Sequence, residues 1–263
     1  MLNSQDIFIT LVRNPDVYLK KLLTRTALIG LVCFLLLIIL KLTGFDDFQI
    51  PSTLHGLVGI VMGLLLVFRT NSAYDRWWDG RKLIGNLITE VEVFAFRVNG
   101  QPNSTMLLSN LDGYLRHLKT NLVTNGYKLH KNYYDVRGEF ISNMLKYLEP
   151  YNEHDKRDIE AGLFRILDIS NSLIRIKTSP IPLSYMLHIK VSLMIYLLTL
   201  PFGLFHDLGF FAIPMVMVLF YIIAGVEIIS NEIEQPFAGD PNDLPMDSLF
   251  HIMSSSINKI GYN

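Results

Sequence analysis

The sequence predicts an all-α membrane protein with four transmembrane helices per subunit and a helical cytosolic extension. Three observations carry that prediction. Half of the 263 residues are hydrophobic and only 18% are charged, whereas soluble domains carry about a quarter. The charges are segregated, with long apolar windows alternating with segments rich in Lys, Arg, Asp and Glu; this is the pattern of a membrane protein with a sizeable polar part. The polar segments place apolar residues at helical spacing, and no strand pattern, internal repeat or low-complexity tract stands out.

Four windows have the apolar content to cross a bilayer, at roughly 27–42, 54–68, 191–205 and 210–230. Several fall short of the roughly 20 residues a span requires, and flanking aromatic residues with snorkelling Lys or Arg extend them. Residues 1–21 hold Asp6, Asp16 and a scatter of polar residues before any apolar core, unlike a signal peptide, so the first helix is expected to persist. Basic residues set the orientation. Arg13, Lys20, Lys21 and Arg25 precede the first window and Arg69, Arg76, Arg81 and Lys82 follow the second, whereas the two short loops carry Asp46 with Asp47 and His206 with Asp207. Positive-inside reasoning then leaves both short loops outside and both termini in the cytoplasm of a multi-pass inner (plasma) membrane protein. The expected organisation is a cytosolic N-terminal segment 1–26, transmembrane helices 1 and 2 in 27–69, a helical cytosolic region 70–187, transmembrane helices 3 and 4 in 188–230, and a cytosolic C-terminal segment 231–263.

In the middle region Leu83, Leu87, Val91 and Phe94 recur at helical spacing, as do Leu107, Leu108, Leu111, Leu115 and Leu118. The run 99–103 is a loop. A helix over about 155–176 ends at Ser179-Pro180-Ile181-Pro182, because a residue before proline avoids the helical basin. Pro201 and Pro214 are expected to kink the third and fourth spans.

The second window is a candidate pore helix. Gly56, Gly59 and Gly63 share one face, where small residues let backbones approach closely. Ile60, Leu64 and Phe68 form an apolar stripe a quarter turn or more away. On residues alone the stripe faces either lipid or a water path. Repeated around a symmetric ring it would make a hydrophobic constriction that gates by dewetting.

Other side chains carry less. The seven histidines show no paired ligand spacing, and His55 is placed at a loop cap or helix interface, or else at the pore mouth. The single cysteine, Cys33, lies in an apolar run and reads as a small packing residue. Glu227, late in the last window, must face inward or the cytoplasmic boundary. Trp77 and Trp78 read as interfacial anchors, with Arg76 snorkelling or paired to Asp75 or Asp79. A net charge of −1 and a pI near 6.7 give no footprint for nucleic acid. No catalytic signature is present, so no enzyme is expected.

Three motifs, Phe68-Arg69-Thr70-Asn71-Ser72-Ala73-Tyr74-Asp75-Arg76-Trp77-Trp78, then Ser179-Pro180-Ile181-Pro182-Leu183-Ser184-Tyr185, then Glu234-Gln235-Pro236-Phe237-Ala238-Gly239-Asp240, together resemble the bestrophin family in its bacterial branch. The resemblance covers nearly the whole chain. It implies a homopentameric channel passing small monovalent ions between lipid-embedded helices, and no required cofactor. It implies a pore neck at Ile60, Leu64 and Phe68, a second, cytosolic constriction at Ile176 with Ile174 as neighbour, and Arg76, Trp77 and Trp78 bracing the junction of neck and vestibule. The family label is chloride channel. Animal relatives favour Phe where Leu64 stands, and bacterial members with aliphatic necks resemble cation conductors, so a sodium-selective channel is the nearest alternative. Animal members also resemble the stretch 235–243 but carry a denser acidic run that clasps calcium. Asp240 and Asp243 match that run and are the candidate calcium ligands, with Asp247 beyond; calcium takes six to eight oxygens, and the alternative is a solvated, turn-forming acidic loop. Rivals from other classes are a membrane enzyme and a non-conducting scaffold.

Overall fold

The computed structural model describes residues 17–44, 51–124, 126–240 and 242–261, with no side-chain account of residues 17–19 and 21. Arg13, Asp46, Asp47 and Pro241, used in the orientation and acidic-loop arguments, lie outside the described residues, as does the side chain of Lys21. Among the described residues every regular element is helical: α1 (Val17–Thr43), α2 (Ser52–Val98), α3 (Ser104–Val123), α4 (Tyr133–Tyr147), α5 (Glu153–Thr178), α6 (Leu183–Leu208), a 3-10 turn (Gly209–Phe211), α7 (Ala212–Ile233) and α8 (Met246–Gly261). This is a membrane protein. Three stretches are long and apolar enough to cross a bilayer: Leu22–Thr43, Ser52–Val98 and Leu183–Ile233.

Residues Met1–Asn71 with Pro182–Ser230 form one compact unit, and Ser72–Ile181 with Asn231–Asn263 form another. The 47-residue α2 contributes to both. In the first, apolar unit, α6 and α7 run antiparallel. Lys190, early in α6, meets Glu227, late in α7, at 3.4 Å, while Leu200 and Leu204 cluster with Ile213 and Val216 across the turn. His206 and Asp207, expected in a loop, belong to the last turn of α6; the reversal itself falls on Gly209, whose φ of 53° and ψ of −129° end the helix. Pro201 sits inside a continuous α6. Pro214 is the third residue of α7, in the first turn, where its missing N–H breaks no helical bond. Cys33 is buried with Leu200 and Val216, and Gly30 lets Met217 of α7 approach α1.

The second unit has a continuous core. Ile84, Leu87, Val91 and Phe94 of α2 pack with Leu107, Leu111, Leu115 and Leu118 of α3, with Leu163, Ile166 and Leu173 of α5, and with Phe250 and Met253 of α8. The expected helical spacings are thus core faces. α5 shows why its ends fall where they do. The Asn152 side chain accepts from the backbone N–H of His154 and Asp155 at 3.1 and 2.9 Å, acids fill the first turn, and Arg175 and Lys177 complement the carbonyls of the last.

Candidate pore helix and motif junction

Within the apolar unit, one face of α2 is packed. His55, Leu66 and Arg69 are buried, and Gly59 and Met62 half-buried. At about 100° per residue these five fall within roughly 80° of one another, and Ile60, Leu64 and Phe68 centre about 180° away. The packed face rests on α6 and α7: Leu66 and Met62 cluster with Ile189, Leu193, Ile223 and Val226. Gly59 carries its backbone against the Tyr196 hydroxyl, where a Cβ would sit 2.7 Å away, whereas Gly56 and Gly63 face open space. The glycine face is therefore only partly used inside one subunit. His55 does not face open water. It is 9% exposed, its Nε2 lies 3.3 Å from the Thr199 hydroxyl, and its ring packs on Gly203.

On the opposite side Ile60, Leu64 and Phe68 are 72%, 54% and 53% exposed. Leu57, Val61 and Val67 are exposed as well, so a broad apolar arc of α2, with the stripe along it, is exposed in the subunit. Arg69 ends the packed face and is 1% exposed. Its guanidinium lies 3.3 Å from a Glu227 oxygen, the same oxygen that Lys190 approaches. One residue on, the Thr70 and Ser230 hydroxyls are 2.8 Å apart. Glu227 thus points inward, onto two cations. The charge count alone treats Arg69 only as a basic flank. A lone carboxylate in an apolar helix is the signal that a buried cation must answer it.

In the second unit the three sequence motifs meet. Arg76 donates through Nε to the Glu234 carbonyl at 3.1 Å and through its two terminal nitrogens to the carbonyls of Ser179 at 2.5 Å and Ile176 at 2.6 Å. It pairs with neither Asp75 nor Asp79; Asp79 takes Lys82 at 2.8 Å instead. A planar fork suits this task, since carbonyls left at a helix C-terminus need donors. Trp77 donates its indole N–H to the Asn242 carbonyl at 3.0 Å, which ties α2 to the segment after α7. Trp78 is 46% exposed and lies near-parallel to Tyr74 and Trp77 at centroid distances of 6.5 and 6.4 Å. Gly80 passes beneath Pro236 and Phe237, where a Cβ would meet ring carbons at 3.1–3.3 Å. Ile174 is buried in the core. Ile176 is half-buried and lines a cavity of about 620 Å³ with Arg76, Lys82, Asn86 and Arg175.

The acidic loop is arranged around Asp243. Its Oδ2 accepts from the backbone N–H of Gly239 and Asp240 at 2.7 and 2.8 Å, and burial pushes its carboxyl up to about 6 despite those bonds. Asn242 is held by Glu232 at 2.7 Å, Asp240 is exposed, and Asp247 lies in the first turn of α8, where it pairs with Lys119 at 2.5 Å. Nearby Lys177 is buried, donates to the Thr124 carbonyl, and has its amine pushed down by burial, in part offset by Asp243. Among the described residues no group of three or more His, Cys, Asp or Glu could hold a metal ion.

The chain matches the bacterial and fungal bestrophin protein family over residues 9–136 and 123–259. It belongs to the bestrophin family. A voltage-dependent anion channel-forming protein of Nostoc sp. is 31% identical, with 76% of this chain and 75% of the relative aligned. A protein of the same description from Synechocystis sp. is 28% identical over 80% and 78% of the two chains. Among solved structures, a bestrophin homolog from Klebsiella pneumoniae superposes with a TM-score of 0.80 at 18% identity, covering 91% of this chain and 98% of that one. The fold is therefore that of the family's bacterial members, and the motif junction at Arg76 is where this family member ties its three signature segments together.

Proposed function

We propose that this protein is a passive anion channel, assembled from five copies whose α2 helices ring a central axis. The observation that carries this reading is the two-sidedness of α2. Its packed face is spent on α6 and α7, while the diametrically opposite line of Ile60, Leu64 and Phe68 is exposed over at least half of each residue. Five such lines around one axis make an apolar neck that excludes ions when dry and conducts when wetted. Gly56 and Gly63, open within the subunit, offer close approach to a neighbouring helix. The antiparallel α6–α7 pair supports counting Leu183–Ile233 as two crossings, hence four in all, with both termini in the cytoplasm of the inner membrane. Anion rather than cation passage is supported by the names of the relatives, and small monovalent ions suit a constriction without fixed charge. Ile176 serves as the cytosolic constriction, supported by its place on an open cavity beside Arg76 and Arg175. Calcium has no step in this mechanism.

Reversal potentials of the purified protein in bilayers with asymmetric NaCl test the reading. A shift toward the chloride equilibrium potential, unchanged by added calcium, is expected. A shift toward the sodium potential makes it a cation channel, and absence of current makes it a scaffold.

A further inference from the structure

The apolar part of α2 touches its neighbours through Leu66, Met62, Leu65 and Gly59. Dispersion contacts of that kind are non-directional and tolerate some rotation of a helix about its own axis. A rotation by one residue, about 100°, would turn Ile60, Leu64 and Phe68 together away from a central axis. Directional bonds occur at the two ends of the segment. At one end His55 Nε2 meets the Thr199 hydroxyl at 3.3 Å. At the other, Arg69 meets Glu227 at 3.3 Å and Thr70 meets Ser230 at 2.8 Å, with Ser230 fully buried. Glu227 is shared with Lys190 of α6 at 3.4 Å, so one carboxylate joins three helices.

We propose that the Arg69–Glu227–Lys190 cluster, with the Thr70–Ser230 bond beside it, is a rotational clamp that holds Ile60, Leu64 and Phe68 toward the pore axis. The inference rests on the neck reading given above. Arg69 is a positioning residue. At 1% exposed and paired to a carboxylate, it is not a charged filter for permeating ions. Its buried guanidinium has to stay beside Glu227, because an unpaired buried charge is strongly disfavoured. Arg69 directly follows Phe68, so fixing its direction fixes that of the last neck residue. Lys190 is half-exposed and keeps the shared carboxylate oriented from the α6 side.

The test uses the full-length protein with Cys33→Ala and Leu64→Cys, reconstituted in liposomes, with a water-soluble thiol reagent and chloride flux as the readout. With the clamp intact the reagent should block flux. Glu227→Gln should slow that block at least about tenfold, and exchanging the charges (Arg69→Glu with Glu227→Arg) should restore much of the rate. Equal block rates in the intact and Glu227→Gln proteins overturn the clamp and leave the neck standing. No block in either overturns the neck reading, and the clamp with it. If Glu227→Gln does not assemble, Ser230→Ala removes a single hydroxyl and should slow the block about threefold; an unchanged rate overturns the clamp.

Discussion

Arg76 satisfies three carbonyl oxygens belonging to two different chain segments. Charge-assisted bonds contribute more than neutral ones, and these lie in part-buried to exposed surroundings, so Arg76→Ala should lower stability by about 1–3 kcal/mol. Arg76→Lys should recover less than half, since an ammonium cannot span the same fork. Thermal unfolding in detergent measures both. His117 carries a pH prediction. Burial first, and the neighbouring His130 second, push its pKa below the usual 6.5, and Asn121 lies 3.1 Å from its Nε2. The neutral ring is the form the fold prefers, so its contribution is complete above pH 6.5 and is lost as pH falls through the lower folded value. Unfolding followed from pH 8 to 5 should show wild type losing stability below about pH 6.5, and His117→Gln losing less. At this scale the motifs were legible as residues but their partners were not. Arg76 and Trp77 bond to backbone carbonyls, and a carbonyl leaves no trace in the residue code; hence the expectation that Arg76 pairs with Asp75 or Asp79 was wrong.

Helix α2 shows what patterning can and cannot convey about an element. Its apolar stripe and its glycine face were both readable from spacing, and the packed face His55, Gly59, Met62, Leu66, Arg69 lies opposite that stripe. The place of Arg69 on the packed face is not legible from spacing, because a basic residue after an apolar run reads equally well as a membrane-surface flank. The α6–α7 turn was misplaced by a few residues for a similar reason. His206 and Asp207 look like loop residues, yet the helix continues until Gly209 permits a reversal that other residues resist. Gly209→Ala should therefore lower stability by about 1–3 kcal/mol, because its φ of 53° with ψ of −129° is close to glycine-only backbone. A thermal shift in detergent that leaves the midpoint unchanged would mean that the turn relaxes without cost.

For the whole molecule, composition and charge segregation conveyed the class, and three ordered motifs conveyed the family. Symmetry was not legible, because the residues that would meet across copies, Gly56, Gly63 and the exposed apolar arc of α2, look like lipid-facing residues in one chain. The account depends on what the Ile60, Leu64 and Phe68 line does once copies assemble. Single-channel recording of the Ile60→Ala, Leu64→Ala, Phe68→Ala variant in planar bilayers addresses this most directly. Removing three large apolar side chains should widen and wet the neck and raise the conductance above that of the wild type. A conductance equal to that of the wild type would contradict the account and place those side chains away from the path of the ions.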